Sequence, residues 1–173
     1  LEQTLRSATN TPKETQRRQH EQVNDSESFD RFLSAWLTVR MAPEVPSRDA
    51  LYESFRQQVP SGDEQALTEI LKEMNQYALF YDWIQTSPSH IQKTDATPQA
   101  FESQLIRHLA HLQYLNYGVA LPTLMYFLDL HHQNAISDDD LLSLLQTLES
   151  YLLRRSVMHL ASNGLNKFLP QII

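Results

Sequence analysis

The chain has 173 residues, 41% of them hydrophobic, a net charge of −7, no cysteine, and only 3 glycines against 8 prolines. That length suits one domain, burying roughly 70% of the surface its unfolded chain exposes. An acidic surface repels phosphate, which leaves room for a local basic patch but not for nucleic-acid binding over the whole molecule. Without cysteine there are no disulfides, thiolate metal sites or thiol nucleophiles, and the chain is compatible with a reducing, cytoplasmic compartment.

In chain order, residues 1–25 form a polar lead-in, helical or disordered, densest at "KETQRRQHEQ". Residues 26–173 read as one helical domain. Ser26 is placed to cap a helix on which Phe29, Phe32, Leu33, Trp36 and Leu37 share a face. The two prolines of "APEVPS" end it. Ser47 or Asp49 starts the next helix, with Leu51, Tyr52, Phe55 and Val59 inward. Asp63 opens the longest one, predicted to reach Ile84 with Leu67, Ile70, Leu71, Met74, Tyr77, Ala78 and Tyr81 on its inner face. "TSPSHIQKTDA" reads as a polar loop, and Thr97-Pro98 as the cap and first position of a helix that buries Phe101, Leu105, Leu109 and Leu112. A short, very apolar helix follows over 121–133 and should sit centrally. Ser137 then caps a helix over about 138–159, with Asp138, Asp139 and Asp140 in the first turn, where the helix dipole favours negative charge. A last short helix is predicted over 163–170. The expected fold is all-α: a single bundle of about six to seven helices with no sheet. No apolar run approaches ~18 residues, so no membrane span is expected, and the N-terminus carries no signal-peptide pattern.

The adjacent arginines of "YLLRRS" do not share a role. At about 100° per residue, with Leu148 at zero, Leu141, Leu144, Leu145, Tyr151 and Leu152 fall within about 60°. On the same wheel Arg155 lies about 20° from the centre of that stripe and Arg154 about 120° away. Arg155 is therefore expected to face the core or a covered interface. There a guanidinium needs acceptors, and the candidates are Asp82, Asp30 and the free carbonyls at the end of its own helix. Arg154 should meet solvent or a neighbour. From Ser150 onward the chain holds Arg154, Arg155 and Lys167 and no acid. These three, with Asn163 and Asn166, are the candidate structural or anion-contacting residues.

Signatures of catalysis are missing. His108 and His111 can share a face, but no carboxylate stands beside them at ligand spacing, and His131 and His132 point apart. Three consecutive aspartates fan out around a helix and make a poor Mg²⁺ cage. There is no phosphate-binding glycine loop, nucleophile elbow or dinucleotide fingerprint. Tyr77, Tyr81, Tyr114 and Tyr117 read as core aromatics with wet hydroxyls rather than a base-stacking platform. No catalytic, cofactor or metal residue is expected in this chain.

The segments "FDRFLSAWLT", "DALYESFR", "YALFYDWI", "ISDDDLLSLLQTLESYLLRR" and "NGLNKFL" occur in that order. Together they resemble the helical region of GmrSD-type modification-dependent (type IV) restriction endonucleases, over roughly residues 26–170. The stretch from Leu148 to Leu169 is the most specific part. The resemblance implies a bacterial anti-phage protein in which this region joins a nucleotide-hydrolysing N-terminal domain, with a D-G-Q-Q-R-type motif, to a metal-dependent H-N-H nuclease domain. Neither motif occurs here, since "ETQRRQH" is not D-G-Q-Q-R. Nucleotide and divalent metal are thus implied for the flanking domains only, and the chain is expected to be a fragment of a longer protein. Its expected task is non-catalytic coupling of those domains. The alternatives are a DNA-binding module using the basic C-terminal residues, or a free-standing helical interaction domain.

Overall fold

A computed structural model describes residues 12–59, 62–91, 100–115, 118–161 and 164–173, with side chains described from Ser26 onward except for residues 87–91. Among the described residues there are seven α-helices and no strand. They are α1 (Pro12–Met41), α2 (Leu51–Gln58), α3 (Glu64–Ile91), α4 (Phe101–Tyr114), α5 (Leu121–His132), α6 (Asp138–Val157) and α7 (Leu165–Phe168). Short 3-10 turns precede α2 and α5, and another follows α7. No described helix is long and apolar enough to cross a membrane.

The bundle is organised around α5. Every residue from Leu121 to Leu130 is buried or half-buried, and α5 packs against α1, α3, α6 and the C-terminal turn. Its one acid, Asp129, accepts hydrogen bonds from the Tyr77 hydroxyl of α3 (2.9 Å) and from Gln133 Nε2 (2.8 Å). Burial, and then the neighbouring Asp129 carboxylate, push the Tyr77 hydroxyl far above the usual phenol range, so it remains a donor. A second polar tie joins α1 to α3: Trp36 Nε1 donates to Glu73 Oε1 at 3.1 Å, and Arg40 pairs with the other oxygen while lying over the Trp36 ring. Helix α4 bridges α3 and α6, and α2 leans on α1.

Several boundaries differ from those read off the sequence. Helix α1 is continuous from Pro12, so Ser26 lies inside it rather than capping it. Helix α3 does not stop at Ile84 but runs to Ile91. Proline removes one backbone donor from a helix without necessarily ending it, and Pro88 is carried within the element. The expected Thr97-Pro98 cap lies outside the described residues, and the described start of α4 has Ala100 at its N-cap with no side-chain bond. Tyr52 and Tyr114, assigned inward, are 76% and 77% exposed, and Leu67 and Leu71 are also exposed. Phe29, the first residue of its stripe, is exposed as well. Ser47 caps the 3-10 turn ahead of α2, and Tyr117 lies outside the described residues.

Helices α5 and α6 are set by local chemistry. Helix α5 ends in a left-handed residue, Asn134 (φ 57°). The Asn134 and Ala135 amides return to the carbonyls of His131 and Leu130, closing a Schellman turn. Ser137 and Asp140 then form a capping box: each side chain accepts the other's backbone N–H, and Ser137 Oγ donates to Asp140 Oδ2 at 2.6 Å. Those bonds hold the Asp140 carboxyl below its ordinary value of 3.8. A carboxyl depressed in the folded state contributes stability that is complete above the unfolded pKa and fades as pH falls through the folded one. Ser137→Ala should lower the unfolding free energy by about 1 kcal/mol in urea titrations. In the same variant the NMR-monitored Asp140 midpoint should move back up toward its ordinary value.

Candidate functional site

Helix α6 ends through a second Schellman turn. His159 is left-handed (φ 53°), its amide donates to the Ser156 carbonyl, and the Leu160 amide donates to the Arg155 carbonyl, both at 3.0 Å. This reversal brings Ala161 back to Arg155. Arg155 Nη2 donates to the Ala161 carbonyl at 2.6 Å, and its guanidinium lies over the Tyr151 ring at 5.8 Å. Beyond the turn Leu165 and Leu169 are buried in the core, while the Phe168 ring sits 5.8 Å from Tyr151. Arg155 thus staples the returning chain to the helix it has just left.

The inward phase of Arg155 follows the sequence reading, but its partner does not. Asp82 and Asp30 are both exposed, and the acceptor is a carbonyl six residues downstream, beyond the helix. Among the described residues, no buried carboxylate pairs with this guanidinium. Arg154, Asn166 and Lys167 are all exposed, and Asn163 lies outside the described residues. The structure brings Arg155, Tyr151 and Phe168 into one cluster and leaves Arg154 and Lys167, their neighbours in the chain, exposed.

Around this staple the outer face of α6 changes character. Its first half shows Ser143, Gln146 and Thr147 to solvent, whereas the last two turns show Leu153 and Val157 on the same stripe. Val157 and Met158 are 70% and 67% exposed, and Leu160, Phe168 and Ile172 are exposed beyond them. The polar-to-apolar switch along one stripe is visible in the sequence, but attention to the inner stripe passes over it.

A second cluster was hidden from local spacing. His108 and His111, one turn apart on α4, each point Nδ1 at a different oxygen of Glu149 on α6, at 2.7 and 2.9 Å. A carboxylate only accepts, so both imidazoles carry their proton on Nδ1 and the three groups form a clasp across the α4–α6 seam. The set contains no hydroxyl or thiol. His131 is tied to Asp138 at 2.7 Å and stacked on Phe101, and His132 meets Phe80 edge-on. Beside them lies a shallow, mostly apolar groove of about 270 Å³, with Leu79, Trp83 and Phe101 in its lining. Among the described residues, no group of three or more His, Cys, Asp or Glu side chains is arranged to hold a metal ion.

Comparison with protein-family models, with curated proteins and with solved structures gives no match.

Loss of the Arg155 staple forfeits one charged hydrogen bond and one partly exposed cation–π contact, on the order of 1.5–3 kcal/mol together. Arg154→Ala should change stability by less than about 0.5 kcal/mol, as surface substitutions usually do. Parallel urea denaturation of Arg155→Ala and Arg154→Ala checks this, and coincident curves would contradict the staple.

Proposed function

We propose that this chain is a non-catalytic helical coupling domain of a bacterial anti-phage, modification-dependent restriction protein. In this reading it stands between a nucleotide-hydrolysing domain and a metal-dependent nuclease domain in the cytoplasm. One observation carries the proposal. The stretch in which the resemblance is most specific, Leu148 to Leu169, is occupied by a mechanical fixture rather than a reactive group: Arg155 binds the Ala161 carbonyl while Leu165 and Leu169 anchor the returning chain in the core. A segment pinned in this way moves with the bundle. Packed helices pass on rigid-body displacements instead of absorbing them, because a close-packed interior has few intermediate arrangements. The polar clusters across the seams serve the same end. Glu149 with its two imidazoles, Glu73 with Trp36 and Arg40, and Asp129 with Tyr77 each join two different helices.

A second reading has its own support. Arg154 and Lys167 are exposed at an end of the molecule where the sequence carries no acid after Glu149, a local positive field on an otherwise acidic chain. DNA contact by these residues would weaken steeply with salt, and further in Arg154→Ala.

The coupling reading predicts that the isolated chain neither turns over nucleotide nor cleaves modified or unmodified DNA, with or without Mg²⁺ or Mn²⁺. Phosphate-release and plasmid-cleavage assays check this. Activity that survives stringent purification, and co-elutes with the chain, would remove the proposal.

A further inference from the structure

The geometry points to the outer face of the last two turns of α6 as a docking surface for an amphipathic helix whose apolar stripe is flanked by carboxylates. On a wheel of about 100° per residue with Leu148 at zero, Leu153 falls near 140°, Val157 near 180°, Arg154 near 240° and Met158 near 280°. Tyr151, at about 300°, continues the arc to the Phe168 ring packed beside it. The result is an arc of exposed apolar side chains, Leu153, Val157 and Met158, at the end of the helix, with the Arg154 guanidinium among them and the half-buried Tyr151 at its border. Upstream on the same stripe the residues are Ser143, Gln146 and Thr147, as expected of a face that water covers. The band therefore begins where α6 needs a partner and not where its own fold requires one, since the core side is already filled by Leu145, Leu148 and Leu152.

Charge selects the occupant. All 21 acidic residues of the chain precede Ser150, so Arg154 and Lys167 stand at this end without a carboxylate in the same stretch of sequence. A second copy docking face to face would set these cations against their own equivalents with nothing to neutralise them. Duplex DNA would satisfy the two cations but leave Leu153, Val157 and Met158 against a phosphate backbone, and the net charge of −7 opposes its approach. An apolar stripe edged by Asp or Glu satisfies both features at once, burying the band and pairing the rim. Leu153 and Val157 are spaced as i and i+4, one turn of an exposed apolar ridge, and Leu160 is exposed just beyond the turn that ends the helix. The inference rests on the coupling reading for its premise that a neighbouring domain covers this end. Nucleotide turnover or cleavage by the isolated chain would end that reading without affecting the measurement below.

The probe is a labelled synthetic amphipathic peptide of about 18 residues, with leucine at i, i+3, i+4 and i+7 and glutamate on both flanks. A counterpart carries lysine in place of each glutamate, and binding is read by fluorescence anisotropy at ~0.1 M salt, where the Debye length is about 10 Å. The glutamate peptide should bind, and the lysine peptide should bind at least about tenfold more weakly. Val157→Asp and Arg154→Glu should each weaken the glutamate peptide by about tenfold or more with unchanged melting temperature, while Leu79→Asp, in the groove beside α3, should leave binding intact. Equal affinity for the two peptides, no binding of the glutamate peptide, or binding indifferent to Val157→Asp would overturn the proposal. So would a concentration-dependent dimer that Val157→Asp abolishes, which would make a second copy the occupant, or tight binding of a ~20-base-pair duplex lost in Arg154→Ala, which would make it DNA.

Discussion

A helix with almost no polar face has to be enclosed over most of its surface, and α5 is such a helix. Between Leu121 and Leu130 it presents Leu124, Met125, Phe127 and Leu128 to the core and no fully exposed residue. A surface helix leaves one face to water; α5 leaves only the half-buried stripe of Pro122, Tyr126, Asp129 and Leu130, and α1, α3, α6 and the C-terminal turn close on the rest. The other features follow from that demand. Asp129, carried inward by α5, requires donors and finds them in Tyr77 and Gln133. Helix α6 must start at once after α5, and the left-handed Asn134 followed by the Ser137–Asp140 box provides that start. The chain leaving α6 must turn back to deliver Leu165 and Leu169, and the left-handed His159 with the Arg155 staple turns it.

This arrangement separates two kinds of polar group. Those at the seams between helices, Glu73, Asp129 and Glu149, are each bonded to two partners and fix how one helix sits on another. Arg154, at the far end of α6, and Lys167, on α7, are exposed, with exposed apolar residues next to them in the chain. The first set gives the bundle a defined packing, because a carboxylate with two donors tolerates little sliding. The second set lies where another surface can be recognised. Rigidity on one side and an exposed apolar face on the other are the features on which the proposed coupling role draws.

How much of this could be read from the sequence depended on distance along the chain. Helix α5 and the start of α6 were legible because their signals are local: a near-continuous apolar run, and a serine three residues ahead of an aspartate. The inward phase of Arg155 was legible for the same reason, being set by periodicity within one helix. Its acceptor was not, because a carbonyl at Ala161 comes within reach only after a left-handed residue that nothing at His159 announces. The Glu149 clasp was missed because its partners lie 38 and 41 residues away on another helix, and spacing rules describe only a residue's own helix. Pro88 and Ser26 misled in the opposite sense: a residue that favours a boundary was taken for one where the helix continues. Tyr52, Leu67 and Leu71 show that correct periodicity sets a face without guaranteeing that another helix covers it.

Enclosure of α5 is the premise on which the bundle, the staple and the proposed coupling role all stand, and native-state hydrogen exchange measures it directly. Amides of α5 from Met125 to Asp129 should exchange only through global unfolding, with an opening free energy equal to that from denaturant titration, while those of α2 open at much lower energy. Exchange of the α5 amides as fast as those of α2 would show that the helix at the centre of the fold is not enclosed, and the account would fail.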